Sequence, residues 1–372
     1  MFYLVITWIA APLLYLRLML RAKRNPEHCH ILVIQTAKIG DMICSTPIFR
    51  EIKRNRPDAK LTVLCSPDTA PLLENNPHVN CVISIRTKSL SGLRGKWQFV
   101  RILKHHAPNW VICISPNLTF LLAPLWACVP VRASVLPNFF GATYSTAKQF
   151  LTNSQKHQQG RLFSDTVYAL LGPLGLVIQE RKNEVFASAQ ADGKIDAMYN
   201  AMKDTIGIGI SSGNKLKSLP IETLCQLVQL ILERTDRDVV LIGSKGDEEL
   251  GTELSRRFKS TRLNFAIGTL SLRELPALIG RLSLFVGVDS GITYMADALD
   301  VTVIDIMGPA DPEDQRPLGH NARIIPTTLP CAPCSHAFRA PYECAIGTRA
   351  CVVNVRADDI FEQVDFALKQ LS

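Results

Sequence analysis

No acidic residue occurs between Glu74 and Asp165, although ten lysines and arginines do. The first 185 residues hold 22 Lys/Arg against 9 Asp/Glu, and the rest hold 19 against 24. A chain of net charge +8 therefore divides into halves of +13 and −5. A stretch so short of carboxylates faces an anion such as a membrane, a phosphorylated lipid or a nucleic acid, unless it is simply a solvated basic surface. The sequence also has no GxGxxG and no GxxxxGK[ST], which removes the common dinucleotide and P-loop readings. It lacks helix-turn-helix, finger-spacing and aromatic-strand signals, so nucleic acid is not an expected partner. There is no second apolar run of membrane length, which excludes a polytopic membrane protein. With 47% apolar and 20% charged residues, the chain is neither disordered nor fibrous. Eleven cysteines in 372 residues are too diffuse for a disulfide scaffold.

The one long apolar run is MFYLVITWIAAPLLYLRLML at residues 1–20, followed by RAKR. Its charge follows the apolar stretch and no small-residue cleavage site is present, unlike a signal peptide. It can cross a bilayer, lie on its surface, or pack as an N-terminal helix inside the protein. Residues 1–25 are read as a membrane-associating segment, with the basic run keeping the remainder cytoplasmic.

The rest of the chain alternates apolar strands with helical stretches. HILVIQ (30–35), LTVLC (61–65), CVISI (81–85) and WVICIS (110–115) read as strands of one parallel sheet. The polar stretch 136–160 reads as a loop, and 183–204 as a connection. A second series follows: strands at 205–212, 238–242, 284–288 and 301–307, with helices between them and a last helix over 357–370. The expected fold is α/β, with an N-terminal domain over 26–185, a C-terminal domain over 186–355 and a terminal helix over 356–372. Sheets of this kind bind ligands at the carboxyl ends of their strands.

Four groups of residues at such ends can carry chemistry. In TAKIGD, Gly40 permits a tight turn and Asp41 either accepts a proton from a substrate hydroxyl or caps the next helix. In SSGNKLKSLP (211–220), Ser211, Ser212, Lys215 and Lys217 offer the hydroxyls, amides and cations that phosphates require, or form an ordinary surface loop. In VGVDSGITYMADAL (286–299), Asp289, Ser290 and Gly291 open a helix whose N-terminus suits an anion, or merely cap it. The loop MGPADPEDQRPLG (307–319) braces a sugar or is a rigid turn. A separate feature is Cys331, Cys334, Cys344 and Cys351. They suit a metal, with His336 as an alternative ligand, or two local disulfides, or free thiols.

Together, IQTAKIGDMICSTP, SSGNKLKSLP, VGVDSG with MGPADP, and the cysteine cluster make the chain resemble the bacterial lipopolysaccharide heptosyltransferase family from Ile31 to Leu371. The resemblance implies a GT-B fold of two Rossmann-like domains facing a cleft. It implies metal-independent, inverting transfer from a nucleotide sugar, usually ADP-heptose, to a lipopolysaccharide core at the cytoplasmic face of the inner membrane. No cofactor is implied beyond that donor substrate. By position, Asp41 matches the family's general base and Lys217 its phosphate-contacting lysine. Ser211 and Ser212 match hydroxyls beside that phosphate. Asp247, with Glu248 as the alternative, matches an acid near the nucleoside, and Asp289, Ser290 and Gly291 match an Asp-Thr-Gly at the donor. Family members usually carry His where this chain has Tyr294, so the donor contact differs there. The basic 86–161 region, especially Arg86, Lys88, Arg94, Lys96, Arg101 and Lys104, is expected to hold the anionic glycolipid acceptor, with Trp97 and Phe99 against lipid. The competing readings are another enzyme on this fold, such as an epimerase, a glycosyltransferase using another nucleotide sugar and acceptor, and a non-catalytic glycan-binding member.

Overall fold

The computed structural model describes residues 2–22, 29–139, 141–199 and 204–371. The RAKR run at 21–24 falls on side chains outside the described residues. Two compact units divide the chain, Met1–Arg181 and Lys182–Ser372.

The first unit opens with helix α1 (Phe2–Ala22). Its sheet contains β1 (His30–Gln35), β2 (Lys60–Cys65), β3 (Cys81–Ser84), β4 (Trp110–Cys113), β5 (Val131–Leu136) and β6 (Asn153–Lys156). Its further helices are α2 (Ile39–Ile43), α3 (Thr46–Asn55), α4 (Gly92–His106), α5 (Leu118–Trp126), α6 (Ala142–Ala147) and α7 (Phe163–Leu171). All strands are parallel, in the order β3-β2-β1-β4-β5-β6. The central strand β1 is buried throughout, as a strand covered by helices on both faces must be, whereas the edge strands β3 and β6 are only half-buried. The stretch 136–160, expected to be a loop, instead carries α6 and β6. Strand β6 reads NSQK, and an edge strand can be that polar because one side of it faces water. Phe99, expected to touch lipid, is fully buried and packs edge-on against Phe120 at 5.1 Å.

The second unit repeats the pattern. Helix α8 (Ala189–Met198) forms within the expected connection. Then come β7 (Ile206–Gly209), α9 (Ile221–Arg234), β8 (Val239–Gly243), α10 (Glu248–Arg257), β9 (Leu263–Ile267), α11 (Leu275–Ile279), β10 (Leu284–Val288), α12 (Gly291–Ala298), β11 (Thr302–Ile306), β12 (Ala322–Ile325), α13 (Ala350–Val353) and α14 (Ala357–Leu371). The strand order is β12-β11-β10-β7-β8-β9, again all parallel. Read from the first strand of each unit, both sheets have the 3-2-1-4-5-6 order of a Rossmann fold. Helix α14 places Ile360, Val364, Ala367 and Leu368 on one face at helical spacing and closes the core over α9, beside Leu227 and Ile231.

Because Ile360 is fully buried in that core, Ile360→Ala should destabilise the second unit by about 2–5 kcal/mol. The shift of that unit's denaturant midpoint checks this.

Candidate functional site

In the first unit, Asp41 follows β1 in the first turn of α2. It is not the N-cap residue, which is Lys38, but its side chain closes a capping box at the third helical position. The Asp41 carboxylate accepts from the Lys38 backbone N–H at 3.2 Å. Gly40 lies buried inside α2, so the turn is made by residues 36–38 rather than by the glycine. The support beneath Asp41 comes from Gln35, which a reading of apolar runs passes over. Its buried side-chain amide donates to the Asp41 carbonyl at 3.3 Å and to Ser45 Oγ at 2.8 Å. The Asp41 carbonyl also accepts from Ser45 Oγ at 2.7 Å. Ser115, beyond the end of β4, donates to Gln35 Oε1 and accepts from the Thr36 N–H at 3.0 Å. A polar residue ending an otherwise apolar strand must find partners when buried, and Gln35 finds them in the loop that carries Asp41.

In the second unit, the sequence-selected residues gather in two clusters at the carboxyl ends of β7, β8 and β10. The first cluster centres on Asp247. Its Oδ1 accepts from Ser211 Oγ at 2.7 Å and Lys215 Nζ at 2.6 Å. Its Oδ2 accepts from Ser244 N–H at 2.9 Å and Ser244 Oγ at 2.6 Å. Burial pushes this carboxyl up, but the hydrogen bonds from Lys215, Ser244 and Ser211 outweigh it and hold the pKa at about 2. Ser212 is buried and its hydroxyl accepts from the Asn214 N–H at 3.3 Å.

The second cluster centres on Asp289. Lys217 pairs with its Oδ2, and the Tyr294 hydroxyl donates to its Oδ1 at 2.7 Å. Tyr294 is 2% exposed, so it acts on Asp289 from inside the fold. Ser290 stands at the N-cap of α12, but its hydroxyl meets Thr293 Oγ1 at 3.2 Å instead of a helix amide. Gly291 is the first residue of that helix.

Three further residues were not selected from sequence. Arg349, in a left-handed backbone conformation, donates to the carbonyls of Lys215 at 3.1 Å and Ser218 at 2.5 Å and so pins the turn bearing Lys217. Asn214 adds a bond to the Pro341 carbonyl at 2.8 Å. Asp305, on β11 opposite Gly287 in register, is fully buried, and neither of its carboxyl oxygens has a hydrogen-bond partner among the described residues. Burial first, and the Asp289 charge second, raise its pKa well above the carboxylate range against the pull of Lys217. No short motif announces Asp305; the only signal is an acid inside the apolar run VTVIDIM.

In the cysteine segment, Cys331, Cys334, Cys344 and Cys351 are free thiols, and Cys331 and Cys334 are exposed. His336 is engaged elsewhere, with Nδ1 3.0 Å from Asp311 Oδ2 and 3.6 Å from Asp314 Oδ2. Asp311 and Asp314 belong to the 307–319 loop and also accept from the Glu313 and Ala337 N–H groups at 3.0 and 2.9 Å. That loop is thus tied to the cysteine segment.

These groups lie at strand ends of Rossmann-like units, where such folds bind ligands. The family model described as "Glycosyltransferase family 9 (heptosyltransferase)" matches residues 140–342, more than half of the chain. The chain belongs to glycosyltransferase family 9. Lipopolysaccharide heptosyltransferase 3 of Escherichia coli K12 is 23% identical, over 76% of this chain and 83% of that protein. Lipopolysaccharide heptosyltransferase 2 of Salmonella typhimurium is 25% identical, over 79% and 87%. Among solved structures, a family 9 glycosyl transferase from Veillonella parvula superposes with a TM-score of 0.76 at 17% identity, covering 92% of this chain and 98% of that one. Escherichia coli ADP-heptose lps heptosyltransferase II superposes at 0.71 and 20% identity, covering 92% and 99%. These structures carry the GT-B fold assignment of this family member.

The two buried carboxyls give pH dependences of opposite sign. Asp247 has a depressed pKa, so its stabilisation is complete above the ordinary value of 3.8 and is lost as pH falls through about 2. Asp247→Asn should therefore be less stable than the parent near neutrality and converge with it in acid. Asp305 has a raised pKa, so it weakens the fold as pH rises above 3.8. Asp305→Asn should be more stable than the parent near neutral pH and lose that advantage below pH 3.8. Denaturant unfolding of each variant across this range measures both.

Proposed function

We propose that this family 9 member transfers a heptose from ADP-heptose to a lipopolysaccharide core acceptor with inversion, at the cytoplasmic face of the bacterial inner membrane. The observation that carries the reading is the Lys217–Asp289 pair, backed by Tyr294, at the strand ends of the second unit. The names of the relatives supply the substrate class.

In this mechanism Asp41 accepts the proton of the acceptor hydroxyl as its oxygen attacks the anomeric carbon. The bond from that carbon to the diphosphate oxygen breaks on the opposite face, which inverts the centre. Lys217 meets the charge gathering on the departing diphosphate, so that a side-chain cation serves where other transferases use a metal. Ser211, Ser212, Ser290 and Gly291 line the phosphate and sugar side. Asp247 orders the nucleoside side through Lys215 and Ser244. Tyr294 is a positioning residue, because its hydroxyl reaches Asp289 rather than the surface. Basic groups of the first unit receive the anionic glycolipid. A second reading, transfer of a different sugar, is favoured by one observation. Tyr294 is neutral where the resembling family usually places an imidazole.

A mass-resolved assay with a panel of nucleotide sugars and truncated lipopolysaccharide acceptors tests both readings. The expected result is a gain of one heptose, with Asp41→Asn lowering kcat by about 10²–10⁴-fold while donor KM holds. Gain of another sugar selects the second reading. Donor binding that survives in Lys217→Ala at parental strength would argue against the phosphate role.

A further inference from the structure

Helix α1 is apolar around its circumference apart from the exposed Arg17, yet only one side is covered. Tyr3, Leu4, Ala11 and Leu14 are buried against Leu121, Leu122, Leu125 and Phe150 of the first unit. Thr7 is fully buried between them and accepts at 2.9 Å from the indole N–H of Trp126 at the end of α5. The opposite side leaves Ile9 77% and Met19 67% exposed, with Val5, Leu13 and Leu16 along the same face.

The seated side runs from the first turn to Leu14. Only the last two turns or so are not fixed by it, and these span roughly 12 Å at 1.5 Å per residue. A bilayer core is about 30 Å thick. Crossing would require stripping Thr7 from Trp126 and emptying a packed cluster. The helix is instead built to lie flat, with one side on its own domain and the other uncovered.

The neighbouring surface has the charge that a lipid headgroup layer requires. Trp126 packs edge-on against Trp97 of α4 with ring centroids 4.9 Å apart, and Lys96 Nζ lies 5.3 Å from the Tyr3 ring centroid. Arg94, Trp97, Arg101 and Lys104 recur at three- and four-residue spacing along α4 and are all exposed. That stripe has no acid on its helix. An exposed indole flanked by cations, beside an uncovered apolar helix face, is suited to the interface between headgroups and acyl chains.

We infer that α1 and the Arg94–Trp97–Arg101–Lys104 stripe of α4 form one docking face that seats the first unit flat on an anionic lipid bilayer, with α1 in the membrane plane rather than across it. This rests on the membrane location of the proposed function and not on its transfer chemistry. The stripe thus meets lipid headgroups directly.

Co-flotation of the full chain with vesicles tests it. Vesicles of phosphatidylethanolamine and phosphatidylglycerol at roughly 3:1, free of glycolipid, should bind at least about tenfold more protein than phosphatidylcholine vesicles. Ile9→Glu/Leu13→Glu and, separately, Arg94→Glu/Arg101→Glu should each lower binding by about tenfold. All four positions are exposed, so the melting temperature should hold. In variants retaining Trp8 or Trp97 as the only tryptophan of the two, both should be quenched by lipid brominated near the headgroup more than by lipid brominated near the bilayer centre. Deep quenching of Trp8 with none of Trp97 would overturn the inference in favour of a crossing helix. Binding insensitive to the α4 reversal would remove α4 from the face. A concentration-dependent dimer that is lost in Ile9→Glu/Leu13→Glu, without vesicle binding by the parent, would assign the face to a second copy. None of these readouts depends on transferase activity.

Discussion

A parallel strand covered by helices on both faces leaves almost no room for polar side chains, and this constraint decides where the chemistry of the protein sits. In β1, β10 and β11 every residue is buried. In these three strands the polar side chains, Asp305 apart, stand at the strand ends. Gln35 closes β1 and organises the loop of Asp41. Ser211 and Ser212 lie just beyond β7, Ser244 just beyond β8, and Asp289 just beyond β10. Each loop is then cross-tied to its neighbour: Ser211 and Ser244 both reach Asp247, and Lys217 reaches Asp289. The same order of strands in both units puts the same kind of edge to use twice.

Much of this was legible. Uninterrupted apolar runs such as HILVIQ and LFVGV can only be central strands, and β1 and β10 fall where those runs do. The elements that were missed lack that signature. NSQK is an edge strand with one side in water. ARII is half-buried along its length, and LNFAI is an edge strand whose burial is interrupted. Residues at loop positions between strand and helix could be nominated because topology alone sends them to the binding edge. Their partners could not. Arg349 supports the Lys217 turn from more than a hundred residues away, and its left-handed backbone leaves no mark on the sequence. Tyr294 was visible as a substitution, but its burial and its bond to Asp289 are properties of the folded helix.

The N-terminal helix shows a different limit. Composition alone leaves crossing, lying flat and burial all open, because each demands apolar residues. The choice is made by the opposing surface. Leu121, Leu122 and Leu125 on α5 supply a matching apolar face, and Trp126 supplies a hydrogen-bond donor to a threonine in mid-helix. A threonine buried in lipid would leave its hydroxyl with only its own backbone, whereas here it serves both the Tyr3 carbonyl and the Trp126 indole.

Asp305 is an exception, a carboxyl inside the buried strand β11, opposite Gly287 in register. Among the described residues neither oxygen has a hydrogen-bond partner, and burial, followed by the Asp289 charge, raises its pKa well above the ordinary carboxylate value. Lys217 pairs with Asp289, and the Tyr294 phenol holds the other oxygen of Asp289 from inside the fold. The Asp289 charge raises the pKa of Asp305, and Lys217 lowers it. The buried acid and the buried tyrosine therefore both act on the same Lys217–Asp289 pair, in which a single lysine carries the positive charge.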